Sequence, residues 1–517
     1  MCGIAVAAPT DAGFVEFALS RQQSRGPDQT VTVDLGFCTL GVNRLAISGV
    51  TDGPQPLTSD DGTIQVVFNG AIYNAPFLIK EFGMKPRSTN DGEVIAFLYE
   101  RFGVDFANYL EGMFAICVAD SRRSELVVAV DQVGIKPMYV AVVDESWYVA
   151  SVVAAFPPDL RPVVRRVPPG VVWSSSGHMQ RIEHVYYHDG PLGDLLTRSV
   201  EEQIPLEVPW GCMLSGGVDS SLIAALASRF APGLRTFTCG TKNGADLAAA
   251  REVADLLGSN HHEILVDSDE LPQVVDDVVE ATASFERWTV MAGVGTYLLA
   301  RYARRTGLKV LMSGEGADEL FAGYDEFQDI PEAFLNTYLL QYQYDLGASE
   351  CLRLDRGTMA HSIEARVPFL STSIMRFCRA LAPSDKVRVA DGRSERKFAL
   401  RQFARTILPE KVAFRRKEEF TNGSGLTIEL RRIAEQRFSI KAVADLRASI
   451  PLLPVDDPLS AWFVSRWLAI FGTTIGTDWG TMVDRGLFRQ RVSPYVASAK
   501  DFATYRKVDF RSRQLPR

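Results

Sequence analysis

Two glycine-rich turns constrain this chain more than anything else in it. Ser215-Gly216-Gly217-Val218-Asp219-Ser220 follows the apolar run Gly211-Cys212-Met213-Leu214, and Ser313-Gly314-Glu315-Gly316-Ala317-Asp318-Glu319 follows Lys309-Val310-Leu311-Met312. About ninety residues of chain separate them. Each reads as the end of a buried strand that opens a helix, and short strands alternating with helical patterns imply a parallel sheet with ligands at the carboxyl ends of its strands. Helices are expected over 220–230 and 246–257, with a strand over 236–240. Glycines let the backbone approach phosphates, and hydroxyls and a helix N-terminus donate to them. There is no Gly-Lys-Ser, so this is not a Walker loop. Asp219 and Asp318 are candidate Mg²⁺ ligands, since that ion takes one or two carboxylates with phosphate oxygens. Glu315 can face a reacting carbonyl. One such turn alone is an ordinary glycine turn with capping acids; two in this arrangement point to ATP.

The front of the chain reads differently. Residues 64–68, 126–130 and 138–143 are short apolar runs punctuated by Asn69-Gly70, Gly83, Gly134 and Gly170. One helix is expected over 91–102. This is the pattern of sheets packed face to face with helices outside. The character changes near residues 186–196, giving domains 1–190 and 191–517. A chain of 517 residues is too long for one core.

Net charge is −8, which disfavours nucleic-acid binding through a broadly basic surface. No apolar run is long enough for a membrane span, and Met1–Ala8 lacks a basic leader region. The seven cysteines are scattered without a Cys-x-x-Cys pair, as expected for free thiols in a reducing cytoplasm. His261-His262 is read as structural, because adjacent side chains point apart.

The second residue is a cysteine. With Met1 removed, Cys2 carries a thiol nucleophile and a free α-amine to serve as its base. Arg44 can pair with a substrate carboxylate and Asp91 with an ammonium. Asn69 and the Gly70 backbone N–H are candidate oxyanion donors on a tight turn. A chain with this constellation and an ATP site frees nitrogen at one place and uses it at another.

Met1-Cys2-Gly3-Ile4, Arg25-Gly26-Pro27-Asp28, Asn43-Arg44-Leu45, Asn69-Gly70-Ala71-Ile72-Tyr73-Asn74 and Leu110–Ala115 resemble the glutaminase domain of glutamine-dependent asparagine synthetases. Leu214–Ser221, Met312–Tyr324, His361–Leu370, Lys397 in Lys-Phe-Ala-Leu-Arg and Arg416–Phe420 resemble the synthetase domain. The resemblance runs from residue 2 to about 425. It implies an N-terminal-nucleophile fold, an αββα sandwich, followed by an α/β ATP-pyrophosphatase domain. It also implies that Cys2 attacks glutamine, held by Arg44 and Asp91, with Asn69 and Gly70 as oxyanion hole. Ser215, Gly217, Asp219 and Ser220 would bind pyrophosphate, with Leu214 also in the ATP site, and Asp219 and Asp318 would hold Mg²⁺. Cys239, Gly240, Ser313 and Gly314 would line the nucleoside. Lys397 and Lys417 would meet phosphates, with Lys417 stabilising the leaving group. The family adenylates a carboxylate, releases pyrophosphate and attacks with tunnelled ammonia.

Three departures stand out. Ala71 replaces the usual Glu of Asn-Gly-Glu-Ile-Tyr-Asn, leaving open a weaker hold on glutamine or an unusual donor. Ser371 replaces the Asp that usually follows Val-Pro-Phe-Leu. Where relatives carry polar residues that hold aspartate, this chain has Trp288, Val290, Met291 and Gly293, so Trp288 and Met291 are expected in an altered acceptor pocket. Three readings follow: an amide ligase for a non-aspartate small carboxylic acid in specialised metabolism, a true asparagine synthetase, or a silent nucleotide-binding paralogue. Intact Cys2, Asp219, Glu315, Asp318 and Lys417 argue against silence. A homodimer is left open.

Overall fold

The computed structural model describes residues 2–390, 393–416, 423–450 and 453–472. The first half builds two six-stranded antiparallel sheets. One runs in the order Arg165–Arg166, Tyr139–Val143, Ser146–Ala150, Cys2–Ala8, Thr39–Arg44, Gln29–Asp34. The other runs Met179–Arg181, Val171–Ser174, Glu125–Val130, Gly112–Asp120, Ile64–Ile72, Leu57–Thr58. Their inner faces share one core, in which Ile4, Val6, Leu40 and Val42 meet Val67, Cys117, Val128 and Val130. The alternation of side chains along each strand leaves a second apolar set on the outer faces. Helices Ala75–Glu81 and Glu93–Phe102 cover the second sheet. Helix Ala12–Arg21 covers the first, together with Leu271–Thr282 and Arg287–Arg305 from the other half. This is the αββα sandwich expected from the sequence.

The second half holds a five-stranded parallel sheet ordered Asn260–Leu265, Arg235–Gly240, Trp210–Met213, Val310–Met312, Glu364–Arg366. Strand order therefore reverses between Trp210–Met213 and Val310–Met312, which pair in parallel from Trp210↔Val310 to Cys212↔Met312. An open parallel sheet gathers ligands at such a switch point. Both glycine-rich turns leave the sheet there. The helix expected from residue 220 begins at Val218, with Gly217 as its cap. His261 bonds Thr236 Oγ1 at 2.9 Å, and the His262 ring stacks on Phe237 at 4.8 Å. No helix among the described residues is long and apolar enough to cross a membrane.

Candidate active sites

Cys2 opens the strand Cys2–Ala8 and lies opposite Arg44. Its backbone nitrogen donates to Asn69 Oδ1 at 2.9 Å. Asn69 is fully buried, and its Nδ2 has no hydrogen-bond partner among the described residues. A buried amide with an unused donor is costly unless something else accepts from it. Beside it, a Cβ on Gly70 would sit 2.0 Å from Met113 O, so no side chain fits there. Burial pushes the Cys2 thiol up, against the pull of the chain's α-amine, a backbone bond from Leu45 and the Arg44 charge.

Arg44 Nη2 donates to the carbonyls of Ser48 and Gly49 at 3.1 and 2.5 Å. That loop is held in turn by Glu207, which accepts from the Gly49 and Val50 backbone at 2.8 and 2.9 Å. Asp91 accepts from Ile72 N at 2.5 Å and donates its backbone N–H to Ser48 Oγ at 3.1 Å. Burial raises its carboxyl, while Ile72, Arg366 and Ser48 lower it. Ala71 is buried in a core that also contains Leu214, Val218 and Met312 of the second half. Sequence reading missed Gln55: it accepts from Phe68 N at 2.8 Å and donates to Phe68 O at 3.0 Å, with Nε2 3.5 Å from Cys2 Sγ.

At the parallel sheet, the two turns pack against each other. A Cβ on Gly314 would lie 2.8 Å from Ser220 N. Ser215 and Ser220 share a hydroxyl contact of 3.0 Å, and Gly217 N donates to Ser215 Oγ at 3.4 Å. Both turns line a cavity of about 460 Å³, together with Leu214, Glu315, Asp318 and Lys397. Lys397 has a left-handed backbone, φ 54°, and is 1% exposed. Its Nζ lies 2.6 Å from Asp219 Oδ2 and 2.7 Å from Asp318 Oδ1. Asp219 Oδ1 is buried with no hydrogen-bond partner among the described residues. Two carboxylates thus converge on one positive charge, with a carboxylate oxygen to spare. Those are donors that fit a hard divalent cation sharing its shell with phosphate oxygens. Among the described residues no three His, Cys, Asp or Glu cluster for a metal held by protein alone.

Arg353 Nη2 donates to both Glu315 oxygens at 2.8 Å. Burial raises the Glu315 carboxyl against that pairing. Arg415, which also lines the cavity, donates to Gly216 O and to Glu252 at 2.7 Å each. Neither arginine was singled out from the sequence, because each partner is distant in the chain. Cys239 donates its thiol to Gly295 O at 3.2 Å and is fully buried. The cavity wall on that strand is Phe237 and Thr238, and neither Cys239 nor Gly240 lines it. Lys417 lies outside the described residues.

On the helix Arg287–Arg305, Trp288, Thr289, Ala292 and Thr296 line the cavity. Met291 does not: it is fully buried with Val290 and Val294 in the core beneath. Gly293 faces Val278, whose Cγ1 would lie 2.8 Å from a Cβ there. Residues three or four apart share a helix face, so 288, 292 and 296 look one way and 291, 294 and 298 another. Arg287 is turned away, donating to Asp457 at 2.5 Å. Ser371 caps the helix Thr372–Ala380, accepting from Ile374 N at 3.4 Å.

A glutamine amidotransferase domain model matches residues 1–169, and an asparagine synthase model matches 192–340 and 333–450. The glutamine-hydrolysing asparagine synthetase of Asparagus officinalis is 34% identical over 464 residues, 82% of this chain and 78% of that one. Asparagine synthetase B of Escherichia coli K12 is 32% identical over 466 residues, 84% of each chain.

Proposed function

This chain belongs to the family of glutamine-hydrolysing asparagine synthetases, and from that premise we propose that it makes a primary amide from a carboxylic acid other than aspartate, with AMP and pyrophosphate as by-products. It is a glutamine-dependent amidotransferase with an ATP-dependent synthetase half. The observation that carries the reading is the meeting of the two glycine-rich turns in one cavity with Glu315 and Lys397.

In the glutaminase half, the α-amine of Cys2 takes the thiol proton, and Sγ attacks the side-chain carbonyl of glutamine. Asn69 Nδ2 and Gly70 N–H receive the oxyanion, a role worth about 10²–10³ in rate per donor. Arg44 takes the α-carboxylate and Asp91 the α-ammonium. The proton held by the α-amine goes to the departing ammonia, and water then releases glutamate. Ala71, Met113, Val133 and Ile135 share one buried apolar core with Leu214 and Val218, and neutral ammonia is proposed to cross between the halves along it.

In the synthetase half, Ser215, Gly217 and Ser220 cradle pyrophosphate oxygens at the N-terminus of the helix Val218–Ala227. Asp219 and Asp318 would hold Mg²⁺, which would neutralise phosphate charge. Lys397 balances the same two carboxylates. Leu214, Ser313, Gly314, Phe237 and Thr238 border the nucleoside, and Cys239 and Gly240 support that wall from behind. Lys417 is proposed to meet the leaving pyrophosphate. Glu315, oriented by Arg353, faces the acyl adenylate and accepts a proton from attacking ammonia.

The acceptor lies along Trp288, Ala292 and Tyr324. Aspartate brings a second carboxylate that needs a partner when buried. Arg287 is committed to Asp457, Arg353 to Glu315 and Arg415 to Glu252, while Arg401 and Arg416 also line the cavity. An acid with a larger, less charged body suits these walls. Thr289 and Thr296 on the same face favour the second reading, ordinary asparagine formation. The test is pyrophosphate release over a panel of carboxylic acids. Some less polar acid is expected to outrun aspartate; aspartate outrunning all others would establish the second reading.

A further inference from the structure

The helix Glu350–Met359 reaches both reacting centres. Near its start Arg353 holds Glu315. Two residues on, Asp355 accepts from Nη1 and Nη2 of Arg25 at 2.9 and 3.2 Å. The remaining nitrogen of that guanidinium, Nε, donates to the carbonyl oxygen of Cys2 at 3.3 Å. One residue further, Arg356 donates to Ser151 O at 2.7 Å, and Ser151 Oγ accepts the backbone N–H of Ile4 at 3.0 Å. Arg25, Asp355 and Arg356 are each no more than 3% exposed. Lys136 Nζ lies 3.8 Å from Asp355 as well.

A terminal residue lacks the upstream peptide that fixes an ordinary strand residue. Once Met1 is gone, Cys2 is held by its own carbonyl side and by whatever grips its amine. A nucleophile misplaced by about 1 Å loses on the order of a hundredfold in rate. The grip on the Cys2 carbonyl comes from Arg25, whose fork is aligned by a carboxylate of the other half of the chain. Burial alone would raise the Asp355 carboxyl, but Arg25, Lys136 and Arg356 hold it below the ordinary range, so it stays ionised.

We propose that Asp355 is a positioning residue for glutamine hydrolysis: acting through Arg25, it fixes the Cys2 carbonyl, and with it the thiol and α-amine, from within the synthetase half. This rests on the glutaminase reading above. Neither Arg44 nor Asp91 touches the pair, so the effect falls on kcat rather than KM.

The test uses the full chain with Asp355→Asn, which keeps size and an acceptor oxygen but removes the charge. Arg25→Lys is the second variant, because an ammonium cannot reproduce the guanidinium fork. In both, kcat for glutamine hydrolysis is expected to fall about tenfold or more, with KM within about threefold and ammonium-driven amide synthesis within about twofold. Native kcat in both variants overturns the proposal. So does an equal fall with both nitrogen sources, which would make the pair a prop of the fold. Cys2→Ala runs alongside. Loss of hydrolysis there with native rates in Asp355→Asn sinks the positioning role alone; hydrolysis persisting in Cys2→Ala sinks the glutaminase reading and this role with it.

Discussion

The ammonium of Lys397 donates to the carboxylate of Asp219 at 2.6 Å across 178 positions of sequence. Asp318 reaches the same nitrogen. Asp219→Asn or Asp318→Asn should therefore unbalance the phosphate end of the cavity. Pyrophosphate release is expected to fall roughly a thousandfold, with basal glutaminase activity kept. Pyrophosphate release at the native rate in either variant would remove these carboxylates from the ATP site.

Asn69 supplies a second sharp test. Its Oδ1 holds the Cys2 backbone, and its Nδ2 has no partner among the described residues. Asn69→Ala should lower kcat for glutamine hydrolysis by about 10²–10³, while synthesis from added ammonium continues. Native hydrolysis in this variant would mean that the oxyanion lies elsewhere.

Trp288 is the large side chain of its helix that borders the cavity, 39% exposed and available for contact. Trp288→Ala should raise KM for the preferred acid about tenfold or more, the scale set by one lost apolar contact in a pocket. Aspartate turnover should change little. An equal loss for aspartate would mean that the ring supports the site instead of selecting its occupant.

Glu111 gives a pH test. It accepts from Thr372 N at 2.9 Å, and burial pushes its carboxyl up to about 7. The fold therefore prefers the protonated form. That stability is fully present below the ordinary carboxylate value and is lost as pH rises through about 7. Glu111→Gln removes the titration. Its stability advantage over the native chain, measured by denaturant unfolding, should be small near pH 4 and level off above about pH 8. A gap that is constant with pH would show that Glu111 does not titrate this way.

What was legible in the sequence was local. Cys2, Asn69-Gly70 and the two serine-glycine turns announce themselves because strand, turn and chemistry share a few consecutive residues. The parallel sheet follows from the same alternation, but its strand order, with the reversal between Trp210–Met213 and Val310–Met312, comes only from the fold. Long-range partners were not legible: Arg25 finds Asp355, Gln55 finds Cys2, and Arg353 finds Glu315 only in three dimensions. Lys397 read equally well as a solvated surface lysine, yet a left-handed backbone turns it inward. The phase of Arg287–Arg305 was also ambiguous. Apolar residues occupy both its faces, so Trp288 and Met291 looked alike in sequence; packing against Val278 and its neighbours buries one and leaves the other at the cavity.

Nitrogen transfer between the two sites is measured most directly with glutamine labelled with ¹⁵N in the side-chain amide, ATP, and the panel acid that releases the most pyrophosphate. The two-site scheme requires label in the product amide, with one AMP and one pyrophosphate per amide formed. Cys2→Ala should make unlabelled product from added ¹⁴N-ammonium and none from glutamine. Release of ADP and phosphate, or label entering product through Cys2→Ala, would contradict it.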